Sequence, residues 1–361
     1  QLKIIVYAQL MPDGDNLIIA GREPNRYSQI YKLTISTKKF VRITNDVSNY
    51  REISLSTDGE SLVAKRSSSY SNLWHIPGTN LNVAKQLTFG QKGRDARHGL
   101  EFLPSGKILY VSLAGNNRDL WTIDPANKSR RQLTENMGDV NEHPSVSSNG
   151  DKIYFDSSVS GERNIMRIDT DGQDLTEITK DKTHNDLYPA VSPDEKVLYF
   201  IRQSKGVSAI WQKNLKSGNE EKTPLPNGIN PQGSISLSPN GKNLAFQQIS
   251  KKRPSNSNDG LVRSIDVGIV SLEDQTTKFF TLPTNLPIFR WTDSSNAFDF
   301  AQNTRHGAKI WRQNIADKDT RKLVLELPNR RLWNFTWSAN RKDLFVSDGK
   351  RVYDAILIRN F

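Results

Sequence analysis

A four-residue turn signal recurs eight times along the chain. It reads Met11-Pro-Asp-Gly14, Ser56-Thr-Asp-Gly59, Leu103-Pro-Ser-Gly106, Ser147-Ser-Asn-Gly150, Ser192-Pro-Asp-Glu195, Ser238-Pro-Asn-Gly241, Thr292-Asp-Ser-Ser295 and Ser338-Ala-Asn-Arg341. Successive copies lie 44 to 47 residues apart, with one step of 54 between the sixth and seventh. A period of this length marks a solenoid, propeller or array, because each unit is too small to bury its own apolar face and must stack on its neighbours.

Two further markers repeat inside the period. A short apolar run follows each turn, as in Leu17-Ile-Ile-Ala20, Ile153-Tyr-Phe155 and Val197-Leu-Tyr-Phe200, and leads to a pair such as Ile30-Tyr31, Leu73-Trp74, Leu120-Trp121, Ile165-Met166, Ile210-Trp211 or Ile310-Trp311. Early units then close on Ile43-Thr44, Leu87-Thr88, Leu133-Thr134 and Ile178-Thr179. Runs this short, flanked by Gly, Asn and Ser, read as strands, and an Asp-Gly type of turn joins the first two as a hairpin. No segment carries a long helical period. The expectation is an all-β chain, an eight-bladed β-propeller of four-stranded antiparallel blades, with seven blades as the alternative. Residues 1–361 are read as a single β-propeller domain. The last repeat ends at its third strand, so residues near Leu2–Ile5 are expected to supply the missing outer strand.

Of the 361 residues none is cysteine, which excludes disulfides and thiolate metal sites. No apolar run approaches the roughly 20 residues that span a bilayer. The start, Gln1-Leu-Lys-Ile-Ile-Val-Tyr7, lacks a signal-peptide layout and an initiator Met, so the chain reads as a piece of a larger protein. The net charge of +11 raises the question of nucleic acid. Yet the basic pairs, among them Arg130-Arg131, Arg330-Arg331 and Arg341-Lys342, are interspersed with Asp and form no stripe with stacking aromatics, so nucleic-acid binding is not expected.

The composite of inner strand, Ser-x-Asp-Gly turn, apolar strand, Ile-Trp strand and Leu-Thr strand resembles TolB-like, PD40-type propeller repeats over nearly the whole chain. Ser147 to Thr179 is its clearest copy. The end of the chain, Trp337-Ser-Ala-Asn-Arg-Lys-Asp-Leu-Phe-Val-Ser-Asp348 with Asp354 to Phe361, looks like the closing blade of the C-terminal propellers of bacterial membrane-anchored serine/threonine kinases and winged-helix regulators. That resemblance implies a periplasmic or extracytoplasmic sensing or protein-docking module within a membrane-anchored parent.

Catalytic sets were sought directly, since a fold does not fix a function. The Gly-x-Ser-x-Gly elbow of the similar prolyl-oligopeptidase relatives does not occur, and no catalytic residue is assigned. Some oligogalacturonate lyases have similar repeats and hold a divalent ion with histidines, which makes a tunnel-centred, metal-dependent polysaccharide lyase the alternative. His98 and His143 fall near adjacent inner strands with Glu142 and Gln232 at hand, but wall hydrogen bonding is the preferred reading, and no metal or other cofactor is expected. Arg22, Arg66, Arg118, Arg163, Arg202 and Arg305 recur between second and third strands, and are expected to form inter-blade ion pairs with Asp46, Asp95, Glu142 and Asp186. The residues that do not repeat mark the tunnel mouth: Tyr50, Arg51, Arg97, His98, Asn141, Glu142, His143, Asp186, Tyr188, Gln232, Arg331 and Trp333. They suit a protein, peptide or small polar ligand, bound by a monomeric, non-catalytic domain. The insertion Lys251–Gly260 reads as a flexible loop beside that mouth.

Overall fold

In a computed structural model all eight turns form. The fourth residue of each donates its backbone N–H to the carbonyl of the first, as in Gly150 to Ser147 at 2.9 Å and Arg341 to Ser338 at 2.8 Å. That residue has positive φ in every copy, 80° at Gly150, 55° at Glu195, 60° at Ser295 and 54° at Arg341. The copies with Glu, Ser or Arg there keep the geometry at a conformational cost that glycine avoids. The structure describes all residues except 1, 3, 23–26, 47, 91–92, 114–116, 136, 227, 250–254, 258–259, 263, 285 and 287; the inserted loop therefore falls largely outside the described residues. Among the described residues the only helices are two 3-10 turns, Pro77–Thr79 and Leu81–Val83, and no helix is long and apolar enough to cross a membrane.

The chain divides into two compact units, residues 1–70 with 350–361, and residues 71–349. The first contains a four-stranded antiparallel sheet, Ile4–Leu10, Asn16–Arg22, Gln29–Thr34 and Lys39–Arg42. Its Ile18, Ala20 and Ile30 pack with Tyr50, Ile53, Leu62 and Ala64 of the next hairpin.

The second unit holds six four-stranded sheets. Sheet 1 is Leu100–Phe102, Ile108–Ser112, Asp119–Ile123 and Arg130–Gln132; sheet 2 is Asn141–Val146, Lys152–Ser157, Asn164–Asp169 and Thr176–Glu177. Sheet 3 is Asn185–Val191, Val197–Ser204, Val207–Asn214 and Glu220–Lys222; sheet 4 is Ile235–Leu237, Asn243–Ile249, Ile265–Ser271 and Thr277–Leu282. Sheet 5 is Phe289–Trp291, Ala297–Asn303, Gly307–Asn314 and Arg321–Pro328. Sheet 6 is composite. Leu332–Trp337 and the start of Leu344–Arg359 are joined by the end of Ser61–Ile76, which pairs in turn with Lys85–Gln86.

Apolar clusters link these sheets in a closed cycle. Leu109, Val111 and Leu120 meet Ile153, Phe155 and Met166 between sheets 1 and 2; Tyr154 and Ile165 meet Leu198 and Phe200 between 2 and 3. Ile201 and Ile210 meet Leu244 and Phe246 between 3 and 4, and Val267 and Phe280 meet Phe298 and Phe300 between 4 and 5. Ile310 and Leu327 meet Phe335 and Leu344 between 5 and 6. Leu73 and Phe345 meet Leu100, Tyr110 and Ile123, returning to sheet 1. Each sheet thereby buries both faces, which is the packing of a propeller.

Two expectations are corrected. Among the described residues the eight repeats do not give eight four-stranded sheets, because the second and last repeats merge into one. In sheet 2 the second and third strands turn back at Gly161, whose φ is 103°, whereas Ser67-Ser-Ser-Tyr70 has no Gly, Pro or Asn and the strand Ser61–Ile76 runs through for 16 residues. The ring is also not closed by the N-terminal residues: Ile4–Leu10 pairs with Asn16–Arg22 in the first unit.

The repeated threonines have a shared task. Thr44, Thr88, Thr134 and Thr179 each accept the backbone N–H of the marker residue, Ile30, Leu73, Leu120 and Ile165, at 2.9 Å through the side-chain hydroxyl. A donor that the ladder leaves over at the end of the outer strand is satisfied in this way.

Candidate binding site in the central channel

The six inner strands of the second unit line a channel of about 760 Å³. One part of its wall carries the turn residues Pro104, Ser148, Pro193 and Pro239, and another carries Arg97, His98, His143, Tyr188 and Trp333. Five of the residues expected at a tunnel mouth are therefore brought together.

Local geometry explains how. His143 and Tyr188 each lie four residues before their turn, and both have left-handed backbones, with φ of 52° and 54°. The strand registers slip between Glu142 and Ser145 and between Leu187 and Ala190, so these are bulges that re-aim a side chain. Fully buried Asp156 holds both. Its carboxylate takes His143 Nδ1 at 2.9 Å and the Tyr188 N–H at 3.1 Å, and it also pairs with Arg163. The two rings lie 4.0 Å apart, centroid to centroid. Gly99 allows the neighbouring strand to close on sheet 2, since a Cβ there would lie 2.3 Å from Pro144 Cδ.

Glu142, buried behind the rings, is the electrostatic hub. Its carboxylate is 3.1 Å from His98 Nδ1, from Arg118 Nη1 and from Arg163 Nη2. Burial works to raise this carboxyl, but His98, His143, Arg118 and Arg163 hold it well below the usual carboxylate range. Burial pushes both imidazoles down to about 3, so they are neutral at pH 7. With Nδ1 of each facing a carboxylate, the hydrogen-bond network assigns the proton to Nδ1 and leaves Nε2 unprotonated.

His98, Glu142 and His143 also place three potential ligand atoms within 4.8 Å of one another. Two guanidinium groups on the same carboxylate oppose a divalent cation there. The set fits carboxylate–arginine pairing better than metal binding.

At the other side of the mouth the Arg97 guanidinium stacks 4.2 Å from the Trp333 ring centroid, and that of exposed Arg331 lies 5.7 Å from the same ring. Arg290, also in the lining, spans three strands. It donates to Leu100 O at 2.6 Å, to Phe335 O at 2.9 Å and to Asn334 Oδ1 at 3.3 Å, and pairs with Glu101 at 3.2 Å. Sequence reasoning missed Arg290 and Glu101. The available signal was a lone arginine between two aromatic residues, Phe289 and Trp291, directly before a turn.

The remaining expected residues are not among the lining residues. Tyr50 belongs to the first unit, where it is 3% exposed and donates its hydroxyl to Asp46 at 2.8 Å. Burial and that carboxylate push its phenol up to about 12. Arg51 is exposed on the same strand. Asp186 is fully buried and bidentate with Arg202, at 2.8 and 2.7 Å, and Asn141 is buried on Arg118 O. Gln232 is outside the lining, its N–H bonded to Gln247 O. Of the recurrent arginines, Arg118 bridges sheets 1 and 2 through Glu142 as expected. Arg163 and Arg202, however, pair within their own sheets, because the acid on the adjacent strand is nearer.

Residues 92–257 match the TolB beta propeller domain, PD40. No curated protein matches the sequence. Among solved structures, TolB from Acinetobacter baumannii is 14% identical, with 96% of this chain and 81% of that chain covered and a TM-score of 0.52. A candidate TolB from Agrobacterium tumefaciens is 22% identical, covering 66% and 87%, with a TM-score of 0.40. An oligogalacturonate lyase from Vibrio parahaemolyticus is 10% identical over 96% and 90%, with a TM-score of 0.43. Residues 92–257 thus resemble the TolB beta propeller domain, and the second unit, with six sheets packed in a cycle, has a β-propeller fold similar to that of TolB.

Proposed function

We propose that this protein is a non-catalytic docking module whose channel mouth takes a polypeptide segment of a partner, in the extracytoplasmic part of a membrane-anchored bacterial regulator. The observation that carries the reading is the set of unlike, half-buried side chains, Trp333, Arg97, His98, His143 and Tyr188, on or just before the inner strands of four sheets in one lining. Repeated positions serve the scaffold; these positions do not repeat. Rings seated on bulges and stacked on guanidinium groups are pre-ordered, so little side-chain entropy is lost when a partner covers them.

The test uses a displayed random-peptide library panned against the protein. Trp333→Ala and Tyr188→Ala should abolish recovery of the selected peptides and leave the melting profile close to wild type. Selected peptides that bind both variants unchanged would place the site elsewhere. The rival reading, a metal-dependent lyase, draws on the His98–Glu142–His143 cluster. Elemental analysis decides it: a stoichiometric divalent ion lost in His98→Ala with His143→Ala would favour the enzyme.

A further inference from the structure

Three polar atoms of the channel wall are left over by the protein's own hydrogen bonding. His98 and His143 turn Nδ1 to the carboxylates of Glu142 and Asp156, at 3.1 and 2.9 Å, which puts Nε2 on the far side of each ring. Among the described residues neither Nε2 has a hydrogen-bond partner, nor does the Tyr188 hydroxyl, and all three side chains line the channel. Both Nε2 atoms are unprotonated and therefore acceptors, and the carboxylates behind the rings hold them in that tautomer.

The spacing of the two acceptors limits what can satisfy both. The imidazole centroids lie 6.4 Å apart. A donor nitrogen in line with each ring, at about 2.9 Å from each Nε2, sits roughly 4 Å from each centroid and sees them roughly 105° apart. That is close to the divergence of two N–H bonds on one nitrogen. A backbone N–H or a hydroxyl brings a single donor. An ammonium or guanidinium brings enough donors, but the nearby carboxylates are taken, Glu142 by Arg118 and Arg163, Asp156 by Arg163 and Glu101 by Arg290, so its charge would be desolvated without a counter-ion. A primary carboxamide brings two N–H bonds and no charge. Its oxygen can accept from Tyr188, whose ring centroid lies 4.0 Å from that of His143.

Resting on the docking reading above, we infer that the mouth selects its segment by an Asn or Gln side chain, whose NH2 group bridges His98 Nε2 and His143 Nε2.

The panned library tests this separately from docking itself. Peptides whose recovery is lost in Trp333→Ala should share an Asn or Gln. In a synthetic fluorescent copy of one, exchanging that amide for the matching acid, or for Leu or Met of similar size, removes the NH2 group and should weaken binding to the wild-type protein at least tenfold. In His143→Phe, which keeps a ring but loses the acceptor, the amide and the Leu or Met peptide should bind alike. Trp333-dependent peptides that share no amide, that carry Lys or Arg at the shared position, or that bind equally once the amide is exchanged would overturn the inference and leave docking intact. So would an unchanged preference for the amide in a folded His143→Phe. If no recovered peptide depends on Trp333, the docking reading fails and this inference falls with it. The peptide exchanges are read on the wild-type protein, so they decide the matter even if circular dichroism shows that His143→Phe does not fold.

Discussion

Thr179 offers a measurement in which side-chain hydrogen bonding is separated from packing. Its side chain is fully buried, its hydroxyl accepts the Ile165 N–H at 2.9 Å, and Ile165 is itself fully buried in sheet 2. Thr179→Val nearly preserves shape, so no cavity contributes. What changes is a backbone donor left in the interior without an acceptor, for which about 1–3 kcal/mol is the usual cost, together with the hydroxyl's own hydrogen bonds to Asn164 Oδ1 at 3.4 Å and to Asp186. For a unit of this size each kcal/mol lowers the melting temperature by roughly 2–4 °C. Thr179→Ser, which keeps the oxygen, should recover most of the loss. Thr176→Val is the control, because Thr176 in the same sheet is exposed and should shift stability by no more than about 0.5 kcal/mol. Urea unfolding followed by tryptophan fluorescence reads all three. If Thr179→Val matched wild type, or the exposed control cost as much, the repeated threonine would not be acting as an acceptor. Thr134→Val, with different partners in sheet 1, should then add to Thr179→Val within a few tenths of a kcal/mol.

Other outcomes follow from the same structure. Phe298→Ala empties a fully buried site ringed by Phe280, Phe289, Trp291 and Phe300, and should cost about 3–5 kcal/mol in the same urea assay. Glu142→Gln leaves Arg118 and Arg163 facing each other without the carboxylate and should destabilise by about 3–5 kcal/mol, whereas Arg118→Gln alone, which leaves Arg163 in place, should cost less. Acidification should destabilise the protein from about pH 6.5 downward. The unfolded chain protonates His98 and His143 there while the folded chain, holding both near 3, does not. The unfolded state thus binds more protons and stability falls with pH, by up to about 1.4 kcal/mol per unit for each histidine. Glu142, held low in the fold, adds a loss in the same direction once pH drops below the ordinary carboxylate range. His98→Gln with His143→Gln should flatten the slope between pH 6.5 and 5; an unchanged slope would show that the imidazoles titrate freely.

Local chemistry was the legible part of this protein. Turn sequences, apolar pairs and closing threonines each encode a few residues of backbone, and all eight turns form even where Glu195, Ser295 and Arg341 replace glycine. What the repeats did not encode was where a hairpin fails to turn. Ser67–Tyr70 and Ser347–Gly349 lie where other units reverse, and whether such a segment bends or runs straight depends on which strand waits beside it, a tertiary choice. Site residues were legible to the extent that they follow from repeat position: Arg97, His98, His143, Tyr188 and Trp333 were placed by their offset from a turn. Tyr50 and Arg51 have the same offset, in a repeat that contributes its inner strand to the first unit. Arg290 was missed because its role comes from acceptors on two other sheets, separated from it by 44 to 190 residues.

Sheet 6 also sets the order in which the second unit can assemble. Sheets 1 to 5 each come from one continuous stretch and can form as they leave the ribosome. The strand at Ser71–Ile76, made early, must wait for Leu344–Gly349 before its sheet exists. Joining ends that far apart costs roughly 5 kcal/mol in chain entropy, which only the last two apolar interfaces to form can repay. Until then Leu73 and the outer faces of sheets 1 and 5 remain uncovered during synthesis. The nascent chain is therefore most exposed to misassociation late, after most of its sheets are complete, and a chain truncated before Leu332 should aggregate rather than persist as a smaller propeller.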